Sequence, residues 1–139
     1  MLALELVPLP VADVDRALSF YAERVGFKLD VDYRAASGFR VVQLTPPGSA
    51  CSIHLIASES SARVHNLHLV TSDLEAELER LAERGVSIAA VRHKHPVQTW
   101  AGGWRQGLDP ERRDYASFAD FADPDGNTWT LQERGYHKP

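Results

Sequence analysis

His54, in ACSIHLIA, and His68, in HNLHLV, are the residues of this chain best suited to proton transfer. Imidazole titrates near neutrality, so each can hydrogen-bond to an oxygen-rich ligand or exchange a proton with it. Both lie in strand-like runs, where the competing reading is a core histidine with its hydrogen bonds satisfied. His93 and His95, in VRHKHP, have a spacing that can seat one metal from an extended segment; exposed loop histidines are the commoner reading. His65 and His137 carry no functional expectation. Cys51 is the sole cysteine, which rules out an internal disulfide and a cysteine-based zinc site, and its apolar neighbours predict a buried, inert thiol.

Flat surfaces for stacking come from TWAGGWRQG, Thr99 to Gly107. Trp100 and Trp104 suit a lid over an aromatic ligand, with Gly102 and Gly103 as hinges; packing against a sheet edge or a dimer partner is the alternative. Arg112 and Arg113 can clamp a carboxylate, but pairing with Glu111 or Asp114 is the simpler expectation. Tyr115 can donate a hydrogen bond into a site or cap its end. Nothing resembles a serine nucleophile elbow, a glycosidase carboxylate pair or a phosphate loop.

The elements that must position these groups are written twice. ALELVPLPVADVDRALSFYAERVG, Ala3 to Gly26, is a strand-like run, an Asp, an amphipathic helix and a Gly. VHNLHLVTSDLEAELERLAERG, Val64 to Gly85, repeats that order roughly 60 residues later. Asp13 and Asp73 are expected N-caps, and Gly26 and Gly85 the stops. Val14, Ala17, Leu18, Tyr21, Ala22 and Val25 form one helical face; Leu74, Leu78, Leu81 and Ala82 form the other. Strands are expected at residues 3–9, 27–34, 39–45 and 50–57, with Pro8 and Pro10 confining the first to an early end or an edge. In the second half they are expected at residues 64–71, 86–91, 114–122 and 127–133. Residues 92–113 read as a long irregular connection, of the kind that often carries function. Phe118 and Phe121 fall on opposite strand faces, one under a helix and one facing the site; Trp129 is expected beneath a helix.

Each half is therefore βαβββ, module one at about residues 1–58 and module two at about 63–135, within one domain of 139 residues. Pairing the halves predicts an α+β fold: a curved, mostly antiparallel sheet with helices outside and a trough inside for a ligand. The net charge of −4 gives no reason to expect nucleic acid or an anionic membrane as partner. No apolar run approaches the roughly 20 residues of a membrane span, and no signal peptide is visible, so the cytoplasm is the expected location.

With these elements in place, the chain resembles the vicinal oxygen chelate superfamily, the glyoxalase/bleomycin-resistance/extradiol-dioxygenase proteins. LPVADVDRALSFYAERVGF, SDLEAELERLAERGV and FADPDGNTWTLQE carry the resemblance, which covers nearly the whole chain. It implies a homodimer and a ligand trough between paired modules, often with a divalent metal held by one His or Glu from each of four strands. The matching positions here are Leu6, His54, Asn66 and Thr130, of which His54 alone is a good ligand type.

No metal cofactor is therefore expected, although shifted ligands remain a rival reading. His68 follows Asn66 by two residues and Gln132 follows Thr130 by two, so each pair is expected to share a strand face, as Pro8 does with Leu6. Glu5 and Glu133 are out of phase and should face away. The expected lining is then Leu6, Pro8, Ile56, Asn66, Trp100, Trp104, Tyr115, Thr130 and Gln132, with His54 and His68 as acid/base candidates. The leading expectation is a metal-independent isomerase, lyase or cyclase acting on an apolar or aromatic, oxygen-bearing small molecule. An antibiotic-sequestering protein of the bleomycin-resistance type is the first alternative, and a divalent-metal glyoxalase or dioxygenase the second.

Overall fold

In the first helix, Asp13 is extended (φ −132°) and its Oδ1 accepts the Arg16 amide at 3.1 Å, starting α1 (Val14–Ser19). The helix widens into a π-helical turn over Phe20–Val25. That turn shifts the buried stripe: Phe20 joins Ala17, Tyr21 and Val25 in the core. Gly26 ends the helix at φ +92°, and both its amide and that of Phe27 bond to the Tyr21 carbonyl. A side chain at that φ would be strained, which is why glycine stands there. The computed structural model describes residues 1–97 and 103–139.

Contacts divide the chain into two compact units, Met1–Val64 with Asp123–Asn127, and His65–Ala122 with Thr128–Pro139. The first contains β1 (Leu6–Val11), α1, β2 (Lys28–Arg34), β3 (Arg40–Thr45) and β4 (Ser52–Ala57) in one sheet of order β1-β4-β3-β2. The second contains β5 (Leu67–Thr71), α2 (Leu74–Glu83), β6 (Ala89–His95), β7 (Gly103–Gln106), β8 (Ser117–Ala122) and β9 (Thr128–Glu133) in the order β5-β9-β8-β6-β7. In each sheet the strand before the helix runs parallel to the last strand of its unit, β1 on β4 and β5 on β9, and the other pairings are antiparallel. The α+β fold of two βαβββ modules is thus present as two mixed sheets, the second extended by β7. Among the described residues no helix is long and apolar enough to cross a membrane.

Several expected boundaries move. β1 continues through both prolines to Val11 because it is an edge strand, where a missing N–H donor costs no ladder bond. β2 is exposed throughout rather than half-buried. Its register shifts between Leu29 and Val31, so Leu29 pairs with Leu44 while Val31 and Tyr33 pair with Gln43 and Val41 on the opposite face. The residues 92–113 are not irregular throughout: β6 runs to His95 and pairs with β7. His93 and His95 therefore lie in a strand. His93 is buried, and its Nδ1 lies 2.9 Å from the Gly107 carbonyl, to which it donates.

The DPDGN turn packs within the first unit. The Asp123 carboxylate, 5% exposed, accepts the Tyr21 hydroxyl (2.8 Å), the Asp125 and Asn127 amides (2.8 and 3.0 Å) and the Asn127 side-chain amide (2.8 Å). Asn127 also donates to the Pro10 carbonyl at 2.9 Å and accepts from the Val64 amide at 2.9 Å. Asp125 accepts the Ala12 amide and the Arg16 guanidinium at 2.8 and 3.0 Å. The most distinctive motif of the sequence is a structural lock.

In the second unit, Glu133 faces the helix side, as its phase predicts, and is fully buried. It accepts the Leu74 amide at the start of α2 (2.8 Å) and both Nε and Nη2 of Arg112 (2.8 and 2.6 Å). Arg112 also reaches Asp73 and Glu75, and Tyr136 stacks 3.8 Å from its guanidinium carbon. Arg112 thus pairs with distant carboxylates rather than with Glu111 or Asp114, while Arg113 takes both Asp109 and Glu111. A depression of about 660 Å³ beside this network is bordered by Glu75, Asp109, Glu111 and Arg112, which pair on the chain, and by Lys138.

The Arg113 guanidinium, bonded to both oxygens of buried Asp109, holds that carboxyl well below the usual carboxylate range, helped by the Arg113 and Glu111 amides. A depressed folded pKa contributes stability above the unfolded value of about 3.9 and loses it as pH falls through the folded value. Asp109→Asn should therefore melt below the parent protein at pH 5–8. The gap should persist at pH 4 and close only in stronger acid, as read by thermal melts across pH. A gap that closes between pH 6 and 5 would show that another group is responsible.

Candidate functional site

The second sheet turns one face to α2, and among the described residues of its unit no helix covers the other. Leu69, Leu131, Ala119 and Phe121 point toward α2, so the residues between them point away. Register places His68 beside Thr130 and Thr130 beside Asp120 in one row. Val70, Gln132, Phe118, Arg92 and Gln106 form the next. Lys94 and Trp104 are opposed beyond it.

A polar chain and an aromatic platform meet on this face. Thr130 Oγ1 donates to Asp120 Oδ1 at 2.9 Å, and Arg92 Nη1 donates to Asp120 Oδ2 at 3.0 Å. The Arg92 guanidinium lies 4.8 Å from the Trp104 ring centroid and 5.7 Å from that of Phe118, within cation–π range. Trp104 meets Phe118 edge to face, with centroids 5.4 Å apart and planes at 89°. Lys94 Nζ lies 5.4 Å from the Phe118 centroid. Phe118 is buried while Trp104 remains 51% exposed, so the indole is braced beneath and open above.

Arg92 is aimed by a break in β6. The register to β8 shifts between Ala89 and Arg92, and Ala90 takes φ +55°, a left-handed conformation that costs an alanine roughly 1–2 kcal/mol. The Ala90 carbonyl accepts from Arg92 Nη1 at 2.8 Å. Bulges of this kind re-aim side chains, and this one holds the guanidinium between Asp120 and the indole.

The expected site residues fall as follows. His68 is exposed, and its Nδ1 lies 2.7 Å from the Asn66 carbonyl. A carbonyl only accepts, so Nδ1 carries the hydrogen and the neutral ring keeps its lone pair on Nε2. Asn66 does not share the strand face of His68: β5 starts at Leu67, and Asn66 sits before it at φ +59°, where strand alternation does not apply. Gln132 stands between Val70 and Phe118. Tyr115 precedes β8 at φ +60° and its hydroxyl accepts from Arg134 at 3.1 Å. Trp100 lies outside the described residues.

In the first sheet, His54 is flanked across the strands by Pro8 and Gln43, on the face away from α1. Its Nε2 is buried and makes no hydrogen bond among the described residues. Leu6 pairs with Ser52, and Ile56 with Pro10.

Sequence reasoning missed Arg92 and Asp120, and assigned no role to Lys94. A signal existed: in VRHKH, Arg92 and Lys94 alternate with His93 and His95, and in SFADF, Asp120 follows Phe118 by two residues.

Leu6 has no donor, the Thr130 hydroxyl is committed to Asp120, and Asn66 has left the strand. Among the described residues no three His, Cys, Asp or Glu side chains cluster to hold an ion.

The model of the Glyoxalase/Bleomycin resistance protein/Dioxygenase superfamily matches residues 3–131. The chain belongs to this superfamily. Among solved structures it is similar to TnmS3, an antibiotic binding protein from Streptomyces sp. CB03234, at 29% identity, covering 96% of each chain with a TM-score of 0.70. It is similar to a glyoxalase/bleomycin resistance protein from the same organism at 30% identity, covering 94% of this chain and 100% of that one, with a TM-score of 0.67. A superfamily member from Sphaerobacter thermophilus DSM 20745 shares the fold at 24% identity and a TM-score of 0.71, covering 96% of this chain and 98% of that one.

Proposed function

We propose that this superfamily member binds an aromatic, oxygen-bearing small molecule on the helix-free face of its second sheet, and sequesters it without a protein-held metal. The observation that carries the proposal is the half-exposed Trp104, braced edge-on by Phe118 and on one face by Arg92, beside the Arg92–Asp120–Thr130 hydrogen-bond chain. A flat ring gains stacking area on the indole, and its oxygens meet the polar chain. The similarity to TnmS3, an antibiotic binding protein, supports sequestration over turnover. The family resemblance extends the proposal to a homodimer.

A metal-independent isomerase, lyase or cyclase is the second reading, favoured by His68. Its Nδ1 is tied to the Asn66 carbonyl, which leaves Nε2 as a base on the row of Thr130 and Asp120.

The experiment is calorimetric titration of the purified chain with bleomycin and a panel of planar aromatic natural products bearing carbonyl and hydroxyl groups, followed by mass spectrometry of the recovered compounds. Sequestration predicts a binder recovered unchanged. Conversion that is lost in His68→Ala would select the enzymatic reading, and a panel with no binder would overturn both.

A further inference from the structure

At the end of the second sheet a depression of about 420 Å³ is bordered by Asn66, Ser87, Ala89, Asp120, Ala122 and Thr128. Its rim is small: Ser87, Ala89 and Ala122 are exposed and carry little bulk. Asp120 is the single ionisable residue among the described ones that line it. The same carboxylate terminates the polar chain from Trp104, so platform and depression share a residue.

Asp120 has acceptor capacity to spare. Thr130 occupies one site on Oδ1 and Arg92 one on Oδ2. A carboxylate offers about four lone-pair sites, so roughly two remain. The side chain is 32% exposed, so those sites are reachable. Arg92 offsets the charge at 3.0 Å, so the spot has little net field with which to draw a cation. It is, however, a strong acceptor for an uncharged donor. An anionic ligand group would meet the carboxylate directly.

We infer that Asp120 determines ligand specificity by accepting a neutral hydroxyl from an aromatic ligand whose ring lies toward Trp104, so that the ligand class is phenolic rather than cationic or carboxylated. This rests on the proposed small-molecule site and adds to it the chemistry of the group that enters the depression. A donor is needed because an ionised carboxylate only accepts, and Thr130 and Arg92 fill two of its roughly four acceptor sites. A hydroxyl suits the small rim formed by Ala89 and Ala122.

The test uses the full chain and four probes built on one ring system: 2-naphthol, 2-methoxynaphthalene, 2-naphthoate and 2-naphthylmethylammonium. Amide and indole NMR shifts report both affinity and location. The expected result is 2-naphthol binding about tenfold tighter than its methyl ether, the scale of one hydrogen bond to a charged group. Its shifts should include the Ala89, Ala122 and Thr128 amides. In Asp120→Ala the two probes should bind alike, and Asp120→Asn, which keeps an acceptor oxygen, should retain part of the preference. Equal binding of 2-naphthol and its ether to the parent protein overturns the inference, as does tighter binding of either charged probe. If shifts at the Trp104 indole persist in those cases, the small-molecule site stands without the specificity. If no probe moves any signal from Trp104 to Ala122, both fall.

Discussion

Trp104→Ala weakens binding of a planar aromatic ligand roughly 10- to 100-fold, the range expected for a tryptophan anchor worth about 1.5–3 kcal/mol. The indole is half exposed in the free protein, so stacking removes apolar area from water on the side that Phe118 and Arg92 leave open. Its removal also leaves Arg92 without its nearer ring, so the guanidinium loses part of what holds it over the site. Trp104→Phe should recover part of the affinity, since a smaller ring keeps the face but not the area. Because β7 is a short edge strand whose side chains are exposed, the melting temperature should change little. Calorimetric titration of both variants decides the matter: an unchanged Kd in Trp104→Ala would make the indole a packing residue and move the ligand elsewhere.

Asp123→Ala costs about 3–5 kcal/mol of stability, because it takes the acceptor from several donors in a buried place. For a chain of this length that corresponds to a fall of about 10–20 °C in melting temperature. Tyr21→Phe removes one of those donors together with its need for a partner, so it should cost only about 1 kcal/mol. The contrast between the two, measured by thermal and urea melts, tests whether the turn is a lock or a loop. Equal small effects would mean that water satisfies the stranded groups and that the turn adds little.

Local signals were readable from the sequence. Asp13 and Asp73 cap the two helices as their spacing predicts, because capping involves only a side chain and the amides three residues on. Phe118 and Phe121 divide between the faces as strand alternation requires. The breaks in alternation were not readable. The register shifts at Leu29/Val31 and Ala89/Arg92 arise from pairing with a neighbouring strand, which leaves no mark in a period-two pattern. Asn66 shows the cost: counting back from Asp73 puts it in a strand, whereas its left-handed backbone places it before one. Arg92 and Asp120 were missed because their pairing spans 28 residues of sequence and is imposed by the bulge at Ala90.

The turn at Asp123–Asn127 has a consequence for how such a chain can be recombined. By its contacts it is part of a body whose other residues end at Val64, although nearly sixty residues separate the two stretches. A gene cut between the repeats would yield a first fragment in which the Tyr21 hydroxyl, the Pro10 carbonyl and the Val64 amide all lack their partners. Shuffling of modules between relatives should therefore cost stability unless the incoming second half brings an Asp and an Asn at the same places in its last hairpin. The repeat is legible as two copies, but inheritance has to treat it as one.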